Sequence, residues 1–369
     1  MAPHSYFNSG VPPPNREASE TRTSWIGAAD CSPPDSARKS VRFVPFVVCL
    51  AFLATTRDAS FDQTKRSLAS AKTVEDAFEK VSDVQLELLP ECAISLITDL
   101  AVDAEGRYFV ADGWQRRGVY IFSREGKFIR ELGRRGQGPG EYQTPVSIAV
   151  GAQGDIWVAD FMGNRISVYD KEWKFKHAIL GRPRILYFLH LNSKDEIYMY
   201  RSQTNPLKPD TSDTIFRYDR DGRKVSSFAP FPEEALKIKF SAVNDGMDID
   251  KDDFIYEMNP LFYRIRKFAP DGSQVASFAR TTKIFRIVTK EGVEPLIVNG
   301  PFCLEKGFIV AHVNKHLEIY DTGGHFVVGE ISFSPRIIES RGNCLYAEAS
   351  DDDANLEGNP RILVYRLIR

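Results

Sequence analysis

The sequence predicts an all-β fold, a six-bladed β-propeller of four-stranded antiparallel blades. Its ring is closed by an N-terminal strand and preceded by a disordered or signal region and a short helix. Three observations predict this: an internal repeat of 48 residues, two-residue alternation broken by turns about every ten residues, and a chain that stops three strands into its last unit. Residues 97–133 return as residues 145–181, with Val102 and Val150, Gly106 and Gly154, Asp112 and Asp160, and Gly133 and Gly181 in matching places.

Each unit parses as four short strands. In the second they are SIAV, DIWVAD, RISVYD and FKHAIL, separated by Gln153-Gly154, by Met162-Gly163-Asn164 and by Lys171-Glu172. Alternating strands between such turn residues mark antiparallel structure. Fainter copies follow in EIYMY and IFRYDRDG for blade three, and in MDIDKDDFIYEM and IRKFAPDG for blade four. Blade five shows EKGFIVAH and LEIYDTGG, and blade six NCLYAEA and RILVYRL. A propeller that does not close leaves open sheet edges, so VQLELL (Val84–Leu89) is assigned as the outer strand of blade six.

The remaining segments follow in order. Residues 1–40 are rich in Pro, Ser and charge, without periodicity, and read as a disordered or mis-annotated extension. Residues 41–60 resemble a signal peptide: a basic flank (Arg38, Lys39, Arg42), an apolar run FVPFVVCLAFLA at 43–54, and a polar exit. That run falls short of the roughly 20 residues a membrane span needs, and its position suggests a translation start near Val41. Export to the periplasm, cell envelope or medium is the expectation, with membrane contact only through this segment if it is retained. Over 61–83, Leu68, Ala71, Val74, Ala77, Phe78 and Val81 fall at helical spacing. The propeller is assigned to 84–369.

Composition narrows the function classes. The chain of 369 residues is 43% hydrophobic and 12% aromatic, enough for a large β core, and its 48 basic and 50 acidic residues balance. That balance argues against a general nucleic-acid binder. The five cysteines form no C-x-x-C pair, which argues against structural zinc; Cys92 with Cys344 is the favoured disulfide. Gly136-Gln137-Gly138-Pro139-Gly140-Glu141 is followed by a strand instead of a helix, so it reads as a blade-to-blade turn, not a phosphate loop.

The stretch GRRGQGPGEYQTPVSIAV (Gly133–Val150) with the DIWVADFMGNRISVYD that follows resembles NHL repeats. The match is close for blades one and two and schematic for the others. The resemblance implies a six-bladed propeller, used elsewhere for protein, RNA and glycan recognition and, in relatives, for lyase and hydrolase chemistry; fold alone does not choose between these.

The resemblance places the ends of the second strands on the face where propellers hold ligands: Asp112, Asp160, Arg201, Met258, His312 and Glu348. First strands begin there too, bringing Asp99, Ser147, Asn244 or Asp245, Asn299 and Glu339 to the channel mouth. Loops add Trp114, Gln115, Arg116 and Arg117 in blade one, Phe161 in blade two, and Asn259, Leu261, Phe262 and Tyr263 in blade four. Solvent-facing Trp and Arg concentrate binding energy. Against this, Asp112 and Asp160 are also the residue type that caps a turn through backbone amides. The leading expectation is an exported, non-enzymatic module binding a protein, peptide or glycan on its top face. The alternative is a metal-assisted lyase or hydrolase with Asp99, Asp160, His312 and Glu348 as ligands. No cofactor is predicted.

Overall fold

Strands buried on both sides need apolar residues at every position, and blade two shows how the chain meets that demand. In Ile156–Asp160, Ile156 and Val158 face blade one, where they pack with Phe109, Ala111, Val119 and Ile121. The intervening Trp157 and Ala159 face blade three and meet Leu189, Ile197 and Met199. The core is therefore a set of apolar layers between neighbouring sheets, not one central cluster. The computed structural model describes residues 59–87, 94, 96–180, 187–201, 213–231, 246–258, 263–280, 287–289, 292–294, 298–349 and 360–368.

Six four-stranded antiparallel sheets make the ring. Blade one comprises Asp99–Val102, Tyr108–Asp112, Gly118–Phe122 and Phe128–Glu131; blade two begins at Pro145–Val150 and ends at Phe175–Leu180. Blades three, four and five start at Tyr187–Leu191, Met247–Ile249 and Val298–Leu304. Blade six uses Arg336–Arg341, Cys344–Glu348 and Arg361–Leu367, with Phe78–Gln85 as its outer strand. The first strands neighbour one another around the ring, that of blade six lying against that of blade one. The extended backbone thus closes the ring by mixing the two ends of the propeller.

The closing strand corrects the sequence assignment in register. It runs from Phe78, opposite Leu367, to Gln85, opposite Arg361, and so starts well before Val84; the end of the assigned segment, 88–89, lies outside the described residues. Helical spacing carries through Ala77 and Phe78, which hid the boundary. In the structure a helix occupies 59–69, and a second short turn, Val74–Ala77, starts from a Thr73–Asp76 capping box. Phe78 then turns extended and is buried. The edge of Arg361–Leu367 offers a row of unpaired backbone groups, and pairing them outweighs one more helical turn. The 59–69 helix docks on blade five: Phe61 stacks on Phe308 at 5.0 Å, and Lys65 reaches Asp321 at 2.6 Å.

Between blades one and two, Arg134–Arg135 pairs in parallel with Glu141–Tyr142, and the strand Pro145–Val150 follows directly. Gly140 sits at φ 71°, where a side chain would be strained and would press on Phe175. The glycines therefore build a turn between blades. Cys303 and Cys344 are free thiols, and Cys92 lies outside the described residues. So do the extension, the apolar run at 43–54, and the loops 202–212 and 350–359. Among the described residues no helix is long and apolar enough to cross a membrane.

Candidate functional site

The inner strands enclose a central channel of about 240 Å3, lined by residues of all six blades that include Asp99, His190, Asp248, Asn299, Glu339 and Arg341. Most of its polar groups join one blade to the next. Asp99 accepts hydrogen bonds from Ser147 Oγ at 2.5 Å and from the Ile148 amide at 2.9 Å, tying blade one to blade two. Ser147 in turn accepts from the Leu189 amide of blade three at 3.0 Å. Asp248 of blade four accepts from the Cys303 amide at 2.7 Å and Ser340 Oγ at 2.8 Å, reaching blades five and six. Asn299 Nδ2 donates to the Ile337 carbonyl, and Arg336 donates to the Ile97 carbonyl at 2.6 Å. Burial raises the Asp248 carboxyl above the ordinary range, opposed by His190 across the channel wall. His190 and Asp248 escaped the sequence reading; their signal was inward alternation in the first strands of the two faintest blades.

The second-strand ends fare differently from one another. Asp112 is fully buried and accepts from the amides of Gln115 and Arg116, capping the turn that follows it. Asp160, 2% exposed, accepts from Gln143, Thr144 and Gly163 amides at 2.8–3.1 Å and lies 3.5 Å from Arg165. Both carboxylates act as turn caps. Arg201 lies over the Phe216 ring. Glu348 is ion-paired with Arg336 at 2.7 Å.

His312 is turned into the protein, its Nε2 bonded to the Phe333 carbonyl at 3.0 Å, and burial pushes its pKa down to about 4. It is neutral at pH 7 and does not face the channel. Tyr263 is also buried: its hydroxyl meets Tyr320 Oη at 2.6 Å, and burial raises both phenols. Both side chains are therefore turned away from the surface role assigned from sequence, Tyr263 by Tyr320 of the next blade and His312 by the carbonyl that follows its own blade's last strand. Asn244, Asp245, Asn259, Leu261 and Phe262 lie outside the described residues. The alternative ligand set is likewise not assembled: Asp99, Asp160, His312 and Glu348 each serve a separate contact. Among the described residues no three His, Cys, Asp or Glu side chains gather as metal ligands.

One cluster on this face does point outward. Trp114 is 45% exposed and its ring lies 6.3 Å from Phe161, the planes tilted by 58°. Met162, which sequence reasoning passed over as a turn residue, is 47% exposed beside them. Arg116 is exposed on the same turn as Trp114, and Arg117 is half-buried. The 133–145 segment packs under this cluster: Arg165 donates to the Gln137 and Glu141 carbonyls, and the Pro145 carbonyl crowds Gly113. The blade one–two junction is thus a rigid base under an aromatic and cationic rim.

Comparison with known proteins follows the same lines. A 96-residue stretch is 34% identical to peptidylglycine alpha-amidating monooxygenase of Rattus norvegicus, covering 23% of this chain and 10% of that protein. The mouse counterpart is 35% identical over the same length. The chain spans about a tenth of the length of these curated relatives. Among solved structures, a candidate exported protein of Bacteroides fragilis superposes with a TM-score of 0.56 at 12% identity, covering 81% of this chain and 98% of that one. A DUF4221-family protein of Bacteroides vulgatus gives 0.57 at 9% identity, over 79% and 98%. At these identities the likeness is one of fold. The family described as a domain of unknown function, DUF4934, matches residues 63–298, well over half of the sequence, and the chain belongs to that family.

Proposed function

We propose that this chain is an exported recognition propeller that holds a protein, peptide or glycan on its top face, at the junction of blades one and two. The observation that carries the reading is exposed Trp114 and Met162 flanking half-buried Phe161, with Arg116 and Arg117 on a turn anchored by buried Asp112. Large apolar side chains left in water on a rigid base favour a partner that removes them from it. Export is supported by the basic flank and apolar run at 38–54, and agrees with the Bacteroides fragilis neighbour. The channel polar groups, engaged between blades, favour a scaffold role for the ring.

The test is a panel of immobilised peptides and oligosaccharides probed with the full chain and with a Trp114→Ala, Phe161→Ala double variant. Binders that lose at least tenfold in affinity with the variant support the reading. Binders indifferent to it move the site elsewhere and end the proposal.

A further inference from the structure

The rim has a charge as well as an apolar centre, and that charge selects among partners. The turns that form it are 113–117, 133–144 and 161–164. Their cations are Arg116, Arg117, Arg134 and Arg135, with Arg135 exposed and Arg134–Arg135 lying against the top of the Gly118–Phe122 strand. The carboxylates nearby are otherwise engaged. Asp112 and Asp160 are buried under backbone amides. Glu141 accepts from the Gly138 amide at 2.7 Å and from Arg134 at 2.6 Å, which together hold its carboxyl below the usual range. Arg117 and Arg135 have no ion-pair partner among the described residues. The rim therefore presents guanidinium donors beside its apolar rings, with the neutral amides of exposed Gln115 and Gln137 between them.

The turn before the third strand has one backbone conformation in several blades. Arg117 sits at φ 58°, in the left-handed region, where blade two places Asn164 at φ 52°. Asn occupies that region at small cost and Arg at a larger one. Blade five places Lys315 at φ 64° before its own third strand, so the left-handed residue belongs to this turn of the repeat and fixes where the Arg117 side chain leaves the backbone.

We infer that the partner is an acidic peptide segment bearing an apolar anchor, seated with its anchor on Trp114, Phe161 and Met162 and its carboxylates on Arg117 and Arg135; this rests on the recognition reading above. A peptide fits better than a glycan on two counts. A neutral sugar brings no negative charge for Arg117 and Arg135, whereas the rim's own carboxylates are turned away and leave that charge to a ligand. The two rings are tilted by 58° and so offer no single flat platform for a sugar face. Guanidinium groups pair carboxylates in a forked geometry, often through two bonds.

The experiment uses the full chain and fluorescein-labelled peptides of the form Glu-Glu-Phe-Glu-Glu and Gln-Gln-Phe-Gln-Gln, with polygalacturonate as competitor, read by anisotropy. The acidic peptide is expected to bind at least tenfold more tightly than the neutral one and to weaken steeply between 50 and roughly 300 mM salt. Arg117→Glu with Arg135→Glu should remove that preference while leaving the unfolding midpoint within the range of other surface variants. Arg117→Lys with Arg135→Lys should restore part of it. Equal binding of both peptides, with sensitivity to Trp114→Ala, overturns the acidic partner and leaves the recognition reading intact. Binding indifferent to Trp114→Ala ends both. Stronger binding of polygalacturonate than of peptide assigns the site to an acidic polysaccharide and overturns the peptide, as does no binding of any probe at millimolar concentration.

Discussion

The channel and the rim of blades one and two are both polar regions of one face, yet they use their side chains in opposite ways. In the channel, Asp99, Ser147, Asp248 and Asn299 bond across blade junctions, so the groups that look most like a site hold the ring together. On the rim, the carboxylates face backward into turns while Trp114 and Met162 face water. The contrast teaches that a repeat protein can place similar polar residues at equivalent positions for closure, and carry recognition on residues that break the repeat. Blade two has Met162-Gly163-Asn164 where blade one has Gln115, Arg116 and Arg117, and it is this difference that gives the rim its charge.

The sharpest way to break the comparison is to remove an inward-facing carboxylate. Asp160→Ala strips three backbone amides of their acceptor inside the protein and removes the negative charge 3.5 Å from Arg165. Such a loss is expected to cost about 3–5 kcal/mol, seen as a large fall in the urea midpoint. A variant unfolding at the wild-type urea concentration would mean that Asp160 is free for ligand after all.

His312 gives the next effect, through pH. Its folded pKa, about 4, lies below the ordinary value of 6.5, because burial disfavours the imidazolium. Its contribution is therefore fully present above pH 6.5 and is lost as pH falls towards 4, when the unfolded chain takes up a proton the folded chain refuses. The difference amounts to roughly 3 kcal/mol. Asp248 and Glu318, whose carboxyls burial raises, act in the opposite direction over acid pH. Comparison with His312→Gln cancels them: wild type should lose stability relative to the variant between pH 6.5 and 4. Parallel pH profiles would show that His312 is reached by solvent and protonates in the folded state.

Asp99→Ala tests the channel side directly. It removes the acceptor for Ser147 and Ile148 at one junction, and about 2–3 kcal/mol is expected. The same variant should leave binding at the rim unchanged, since the anchors of Trp114 lie on Asp112 and the 133–145 segment. Loss of binding without loss of stability would place the ligand in the channel and reverse the assignment.

Much of the fold was legible because blades one and two repeat at a fixed interval and carry their turns at matched positions. The later blades were legible only as alternation, and the outer strand was misplaced because Ala77 and Phe78 satisfy helical and strand patterns alike. The site was less legible. Asp112 and Asp160 could be read either as caps or as ligands, since the amides they serve are local but the choice depends on burial. Tyr263 looked like a surface residue because its partner, Tyr320, belongs to the next blade and lies 57 residues along the chain. Sequence spacing carries no direct information about contacts between blades, and those contacts decide which polar side chains remain available.

The smallest expected effect on stability is the one most telling for function. Trp114 is 45% exposed and packs on Phe161 at the rim, so Trp114→Ala should shift the unfolding free energy by about 1 kcal/mol. The same truncation removes the largest apolar surface from the proposed contact, where aromatic anchors are worth about 2 kcal/mol or more. Urea unfolding and peptide anisotropy on one preparation separate the two quantities. A variant that keeps its stability and loses its partner would show that blade one carries this tryptophan for binding. One that loses stability by several kcal/mol would mean that the ring packs under the rim, and would move Trp114 from the recognising region to the structural one.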